Sequence, residues 1–119
     1  MGPSSSSIFA VRFPVRTESE MNKREHWAKK AKRVKSQRHL VMLILGLKRH
    51  FPLPLEVRLT RLSPRTLDSD NLISSNKAIR DQIAEWLDVN DADPRVTWSY
   101  AQEKAKTYSV RLEIFRSAQ

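Results

Sequence analysis

The sequence predicts an α+β fold: a single domain with element order β-α-β-α-β-β and a small mixed sheet packed by two helices. Three observations carry that expectation. Short runs near the start, middle and end of the chain alternate apolar and polar residues with a period of two, as half-buried strands do. Two longer stretches repeat apolar residues at spacings of three, four and seven, as helices do. At 119 residues, 39% hydrophobic and 29% charged, the chain suffices for one modest core.

The elements follow in order. Met1 to Ser7 is serine-rich and reads as a flexible tail ahead of a domain spanning 8–119. Ile8 to Val15 places Phe9, Val11 and Phe13 on one face; it is a strand that Pro14 confines to an edge or a terminus. A polar loop from Arg16 to Asn22 offers Ser19 or Asn22 as a helix cap. From Lys23 to about His50 a helix is expected, with Trp27, Ala31, Val34, Val41 and Leu45 on its stripe. Its second half is apolar almost all round and is expected to be buried. Gly46 is its weak point, and Pro52 and Pro54 end it.

Leu55, Val57 and Leu59 alternate with Glu56, Arg58 and Thr60, a second strand with one wet face. The turn Ser63-Pro64-Arg65-Thr66 follows. A helix then runs from Asn71 to Leu87, with Leu72, Ile79, Ile83 and Trp86/Leu87 inward. Val96 to Ala101 and Tyr108 to Phe115 complete the strands.

Charge narrows the function classes. The chain carries a formal net charge of +9, and its distribution is uneven. Between Asn22 and His50 stand ten Lys/Arg and one Glu, while the remaining twelve basic and twelve acidic residues cancel. So local an excess points to an acidic partner, nucleic acid being the commonest. Lys29, Lys30 and Arg33 are the expected phosphate contacts on this helix. A basic helix face is also often plain solvated surface. There is no cysteine, which excludes disulfides and thiolate metal sites and fits a reducing cytoplasm. The longest apolar run, Leu40 to Leu45, is too short to cross a bilayer.

Against this basic background, five of the thirteen acidic residues lie at the two ends of one short helix: Asp68 and Asp70 before it, Asp88, Asp91 and Asp93 after it. Asp68 and Asp70 are two apart, so in extended chain both carboxylates face one side. Hard cations such as Mg²⁺ are held by a few carboxylate oxygens. At helical spacing 70, 74, 77 and 81 form one stripe, which puts Lys77 and Asp81 on the side of the acids. The plainer reading is that these aspartates cap a helix and make turns. Asp88 to Asp93 lacks the glycine and glutamate of a calcium loop. The three histidines lack an i, i+4 pair for zinc.

A strand, then Leu67-Asp68-Ser69-Asp70-Asn71-Leu72, then a helix with Lys77 and Asp81, then Trp86-Leu87-Asp88-Val89-Asn90-Asp91, resembles the RusA-like Holliday-junction resolvases. The likeness is strongest from about Arg61 to Val96 and takes in the early Ser19-Glu20-Met21-Asn22 loop. The resemblance implies a dimeric, Mg²⁺-dependent endodeoxyribonuclease that cuts four-way DNA junctions. It assigns Asp68, Asp70 and Asp91 as metal carboxylates and Lys77 as the catalytic lysine. The lysine here lies about one helical turn later than in the family. Leu67 occupies a place the family gives to a basic residue, leaving Arg65 to supply that phosphate contact. The alternative is a non-catalytic basic DNA-binding module whose acids only cap and turn; a third possibility is a nuclease for flaps or other branched DNA.

Overall fold

The computed structural model describes residues 7–18 and 27–117. The serine tail up to residue 6, the Ser19-Glu20-Met21-Asn22 loop with its candidate caps, and the expected helix start at Lys23 lie outside the described residues.

The order is β1 (Phe9–Phe13), α1 (Trp27–Leu45), β2 (Leu55–Ser63), α2 (Ser69–Ser75), α3 (Lys77–Leu87), β3 (Val96–Lys104) and β4 (Ser109–Arg116). The α+β class and the β-α-β-α-β-β order hold, with the second helical position occupied by two helices in succession. The strands form one sheet in the order β1-β4-β2-β3. β4 is antiparallel to both neighbours, whereas β2 and β3 are parallel. A parallel pair needs a long crossover, and α2 with α3 supplies it. The two acidic segments therefore sit at the two ends of this crossover.

Register decides what the helices meet. Residues opposite each other in a ladder share a face, and Val57 pairs with both Ile114 and Trp98 while Leu59 pairs with Leu112 and Tyr100. Val57, Leu59, Leu112 and Ile114 are fully buried with Ile79 and Ile83 of α3. Trp98, Tyr100 and Gln102, at period two on β3, thus lie on the core side of the sheet. Arg61 pairs with Gln102 and shares that side.

The expected helix from Asn71 to Leu87 breaks at Asn76 (φ −98°, ψ 4°). Three consecutive polar side chains turn back on the preceding carbonyls: Ser74 Oγ donates to Asn71 O, Ser75 Oγ to Leu72 O, and Asn76 Nδ2 to Leu72 O. Such bonds compete with the helical ladder. α3 ends in a Schellman motif, with Asp88 N–H on Glu85 O, Val89 N–H on Ala84 O, and Asp88 in the left-handed region (φ 58°).

α1 ends five residues before the expected His50. Gly46 at φ +75° donates its N–H to Met42 O, a conformation that favours glycine. The segment beyond is pinned to α3, with Trp86 Nε1 donating to Leu47 O and Arg49 N–H to Trp86 O. The expectation that the second half of α1 is buried fails. Val41 is buried, but Met42, Leu43, Ile44 and Leu47 are exposed, Leu47 at 93%. One side of this half packs on α3 and no described element covers the other. Trp27, expected on the apolar stripe, is 75% exposed. Among the described residues no helix is long and apolar enough to cross a membrane.

Candidate functional site

Asp68 stands at the N-cap of α2 in extended conformation, and its carboxylate accepts Asn71 N–H at 2.9 Å. Asn71 Nδ2 lies 3.0 Å from each Asp68 oxygen. The capping role is therefore real. It leaves acceptor capacity, since a carboxylate offers about four lone-pair sites. Asp70, in the first turn, is exposed, and its side chain makes no hydrogen bond or ion pair among the described residues.

The strand-to-helix turn that delivers these acids is braced from the core side of the sheet. Gln102 clamps Leu67, its Oε1 accepting Leu67 N–H (2.9 Å) while its Nε2 donates to Leu67 O (2.6 Å). The buried Arg61 guanidinium donates to Arg65 O at 2.7 Å and to Thr17 Oγ1 at 3.0 Å. Burial pushes this guanidinium below its ordinary value. Sequence reasoning missed both residues. A signal existed for Arg61, which continues the inward alternation of Leu55, Val57 and Leu59 with a charge that must be satisfied internally. Gln102 carried none. The Arg65 side chain is exposed, open to the phosphate contact expected of it.

Lys77 opens α3 just after the Asn76 break and is 74% exposed, its Nζ 3.3 Å from Asp81 Oδ2. Asp91 arrives from the loop beyond α3. Ser74, Lys77, Arg80, Asp81, Asp91 and Tyr100 line one cleft of about 280 Å³ together with Ile73. Of the stripe expected for 70, 74, 77 and 81, the last three line this cleft across the helix break, and Asp91 joins them. Asp68 and Asp70 do not line this cleft. Among the described residues no three of Asp, Glu and His are gathered as a metal-holding group. Convergence of Asp68, Asp70 and Asp91 on one ion is thus not preformed.

The cleft opens on two sides of opposite charge. On one, Asp81 and Asp91 continue into a wider acidic basin of about 540 Å³ with Glu85, Asp88 and Lys48. There a hydrogen bond from His50, then the charge of Lys48, hold the Asp88 carboxyl below its usual range. On the other side, Ser74, Lys77 and Asp81 also line a groove of about 210 Å³ with Lys30 and Val34 of α1. Lys29 and Lys30 are exposed on α1. Arg33 differs: its side chain is only 17% exposed and lies 3.9 Å from Glu18, so much of it is held within the protein. Arg38 likewise bonds Glu85 at 2.7 Å and Gln82 at 3.0 Å where α1 meets α3.

Compared with protein-family models and with curated proteins, the chain matches none.

Proposed function

We propose that the chain is a Mg²⁺-dependent endodeoxyribonuclease acting on branched DNA, in the first place four-way junctions, and working as a homodimer. The observation that carries this reading is the position of Lys77. It lines both the cleft that holds Asp91 and the groove that holds Lys30 of the basic helix. A phosphate chain lying along α1 is thereby led to carboxylates.

The donor chemistry fits the metal. Mg²⁺ takes hard oxygen ligands and is commonly bound by one or two carboxylates, with waters and substrate phosphates completing the shell. Asp91 and Asp81 share a cleft, Asp70 is open, and Asp68 retains lone pairs. Asp68, Asp70 and Asp91 are the residues proposed to hold the ion. When bound, Mg²⁺ supplies charge stabilisation at the phosphate and a more acidic water. Lys77 would leave Asp81 and place its ammonium against the phosphate or the departing oxygen. Lys29 and Lys30 would hold the adjoining backbone, and Arg65 the phosphate near Asp68. Two copies about a two-fold axis would match the near-symmetry of a junction.

One observation favours the alternative of a non-catalytic DNA-binding module. The Asp68 carboxylate is already engaged by Asn71, as a structural cap would be. A panel of labelled four-way junction, flap, duplex and single strand, each incubated with Mg²⁺ or EDTA, separates the readings. Nicking of the junction in Mg²⁺ alone supports the nuclease. Binding to all four DNAs without a cut supports the module, and cutting of the flap alone reassigns the substrate.

A further inference from the structure

We infer that Arg80 is the positioning residue of this cleft, fixing the Asp91 segment against α3 and β3 so that its carboxylate is presented beside Lys77. The inference rests on the nuclease reading for its catalytic consequence and on geometry for its structural content.

Arg80 lies one turn along α3 from Lys77 and faces the core side of β3. Its guanidinium engages three groups at once. Nη1 donates to Tyr100 Oη at 2.9 Å, Nη2 donates to the carbonyl oxygen of Asp91 at 3.0 Å, and Cζ stands 4.7 Å from the centre of the Trp98 ring. Trp98 and Tyr100 are two apart on β3, in register with Val57 and Leu59 of the sheet centre. The fork is therefore anchored on β3, the edge strand paired with the central β2.

The ends of the loop are tied elsewhere, Val89 N–H to Ala84 O and Leu55 N–H to Arg95 O, but the tip between them has little else to fix it. Within the loop, Ala92 N–H bonds Asn90 Oδ1 and Asp93 N–H bonds Asn90 O; both shape the turn without tying it to the rest of the fold. Among the described residues, the bond from Arg80 is the only hydrogen bond that joins the tip, Asn90 to Ala92, to another element. Nor does the guanidinium pair with any carboxylate among the described residues. An ion pair would be the ordinary explanation of an arginine here. Instead the positive group is directed at a backbone carbonyl, a phenol and an indole face.

That combination requires a planar fork. A lysine offers a point charge with rotatable donors and cannot hold two divergent acceptors while stacking on a ring. Groups that orient a metal carboxylate without touching the ion commonly cost ten- to a hundredfold in metal affinity or activity when removed.

The test compares Arg80→Gln, Arg80→Lys and Tyr100→Phe with the wild type by two readouts. The first is amide hydrogen exchange across residues 88–95. The second is the Mg²⁺ concentration for half-maximal junction cleavage, with metal-free junction affinity as control. Both Arg80 variants should speed exchange in the loop and raise the Mg²⁺ requirement by about ten- to a hundredfold, with affinity for the junction unchanged. Tyr100→Phe should move both in the same direction by less. Unchanged exchange and Mg²⁺ requirement in Arg80→Gln, or full recovery in Arg80→Lys, overturns the inference while leaving the nuclease reading standing. A wild type that cuts no DNA at any Mg²⁺ concentration overturns the nuclease reading and the catalytic role with it. The exchange readout then still decides whether Arg80 holds the loop.

Discussion

Lys77 Nζ lies 3.3 Å from Asp81 Oδ2, one turn further along α3. The pair runs against the helix dipole, with the cation at the N-terminal side and the anion downstream, the weaker of the two orientations. Exposed pairs of this kind are worth about 0.2–1 kcal/mol. Lys77 is thus held loosely and, in the proposed function, would exchange its partner for a phosphate at little cost.

Asp81→Asn should therefore tighten metal-free junction binding by up to about fivefold, the equivalent of about 1 kcal/mol. Fluorescence anisotropy in EDTA measures it. Weaker binding would mean that Lys77 needs Asp81 to be oriented.

The aspartates at the start of α2 separate capping from catalysis. Asp68→Ala removes the cap on Asn71 N–H and should cost about 0.5–2 kcal/mol of stability, read by denaturant unfolding. Asp70→Asn alters a side chain with no bonded partner among the described residues and should leave stability within about 0.5 kcal/mol while abolishing cleavage. Equal cleavage by Asp70→Asn and wild type would remove Asp70 from the site.

On α1 the exposed and the covered cations should behave differently. Removing one phosphate-binding cation lowers the slope of log affinity against log salt by about 0.9 on duplex DNA. Lys29→Ala with Lys30→Ala should thus flatten the slope by about two units. Arg33→Ala should flatten it less, because Arg33 is held by Glu18. An unchanged slope in the double variant assigns α1 to a different partner.

Acid should destabilise the protein through identifiable carboxylates. The Arg95 side chain, then its backbone N–H, draw the Asp93 carboxyl from 3.8 to about 2. Arg111 holds Glu103 below its ordinary value, and His50 with Lys48 does the same for Asp88. A depressed carboxyl binds fewer protons in the folded than in the unfolded chain, so its contribution is complete above the unfolded value and shrinks as pH falls. Melting temperature should drop below about pH 4. Asp93→Asn should be less stable than wild type at pH 6, and the difference should shrink as pH falls and close only below about pH 2. A constant difference across that range would show that Asp93 acts as a turn residue without its charge.

The strands are legible in the sequence because burial on one side forces the alternation of Phe9, Val11 and Phe13 and of Leu55, Val57 and Leu59. The class and element order follow from that. The strand order does not: nothing local to Val110 or Leu112 announces that β4 slips between β1 and β2. The break at Asn76 has a local cause in Ser74, Ser75 and Asn76, outweighed by the helical spacing on either side. The exposed flank of α1 escapes a reading of spacing, because apolar spacing reports what a helix is able to bury, not whether the fold supplies a cover. At the site, the pairing of Lys77 with Asp81 is legible from helical spacing, whereas Asp91 joins them only through the family resemblance, because its loop needs the tertiary fold to reach the stripe. Arg80 and Gln102 are not legible, since each acts on a backbone carbonyl that only the tertiary fold brings near. Asp68 reads from sequence as either a ligand or a cap, and the structure shows the cap.

The most direct measurement is single-turnover cleavage of a synthetic four-way junction by wild type and Asp91→Asn, with binding of both confirmed on the same DNA. Asp91 is the one proposed ligand that shares the cleft with Lys77. The account predicts paired nicks by the wild type in Mg²⁺, none in EDTA, and none by Asp91→Asn despite junction binding at least as tight. Cleavage by Asp91→Asn at the wild-type rate, or a wild type that binds the junction and leaves it whole in Mg²⁺, would contradict it.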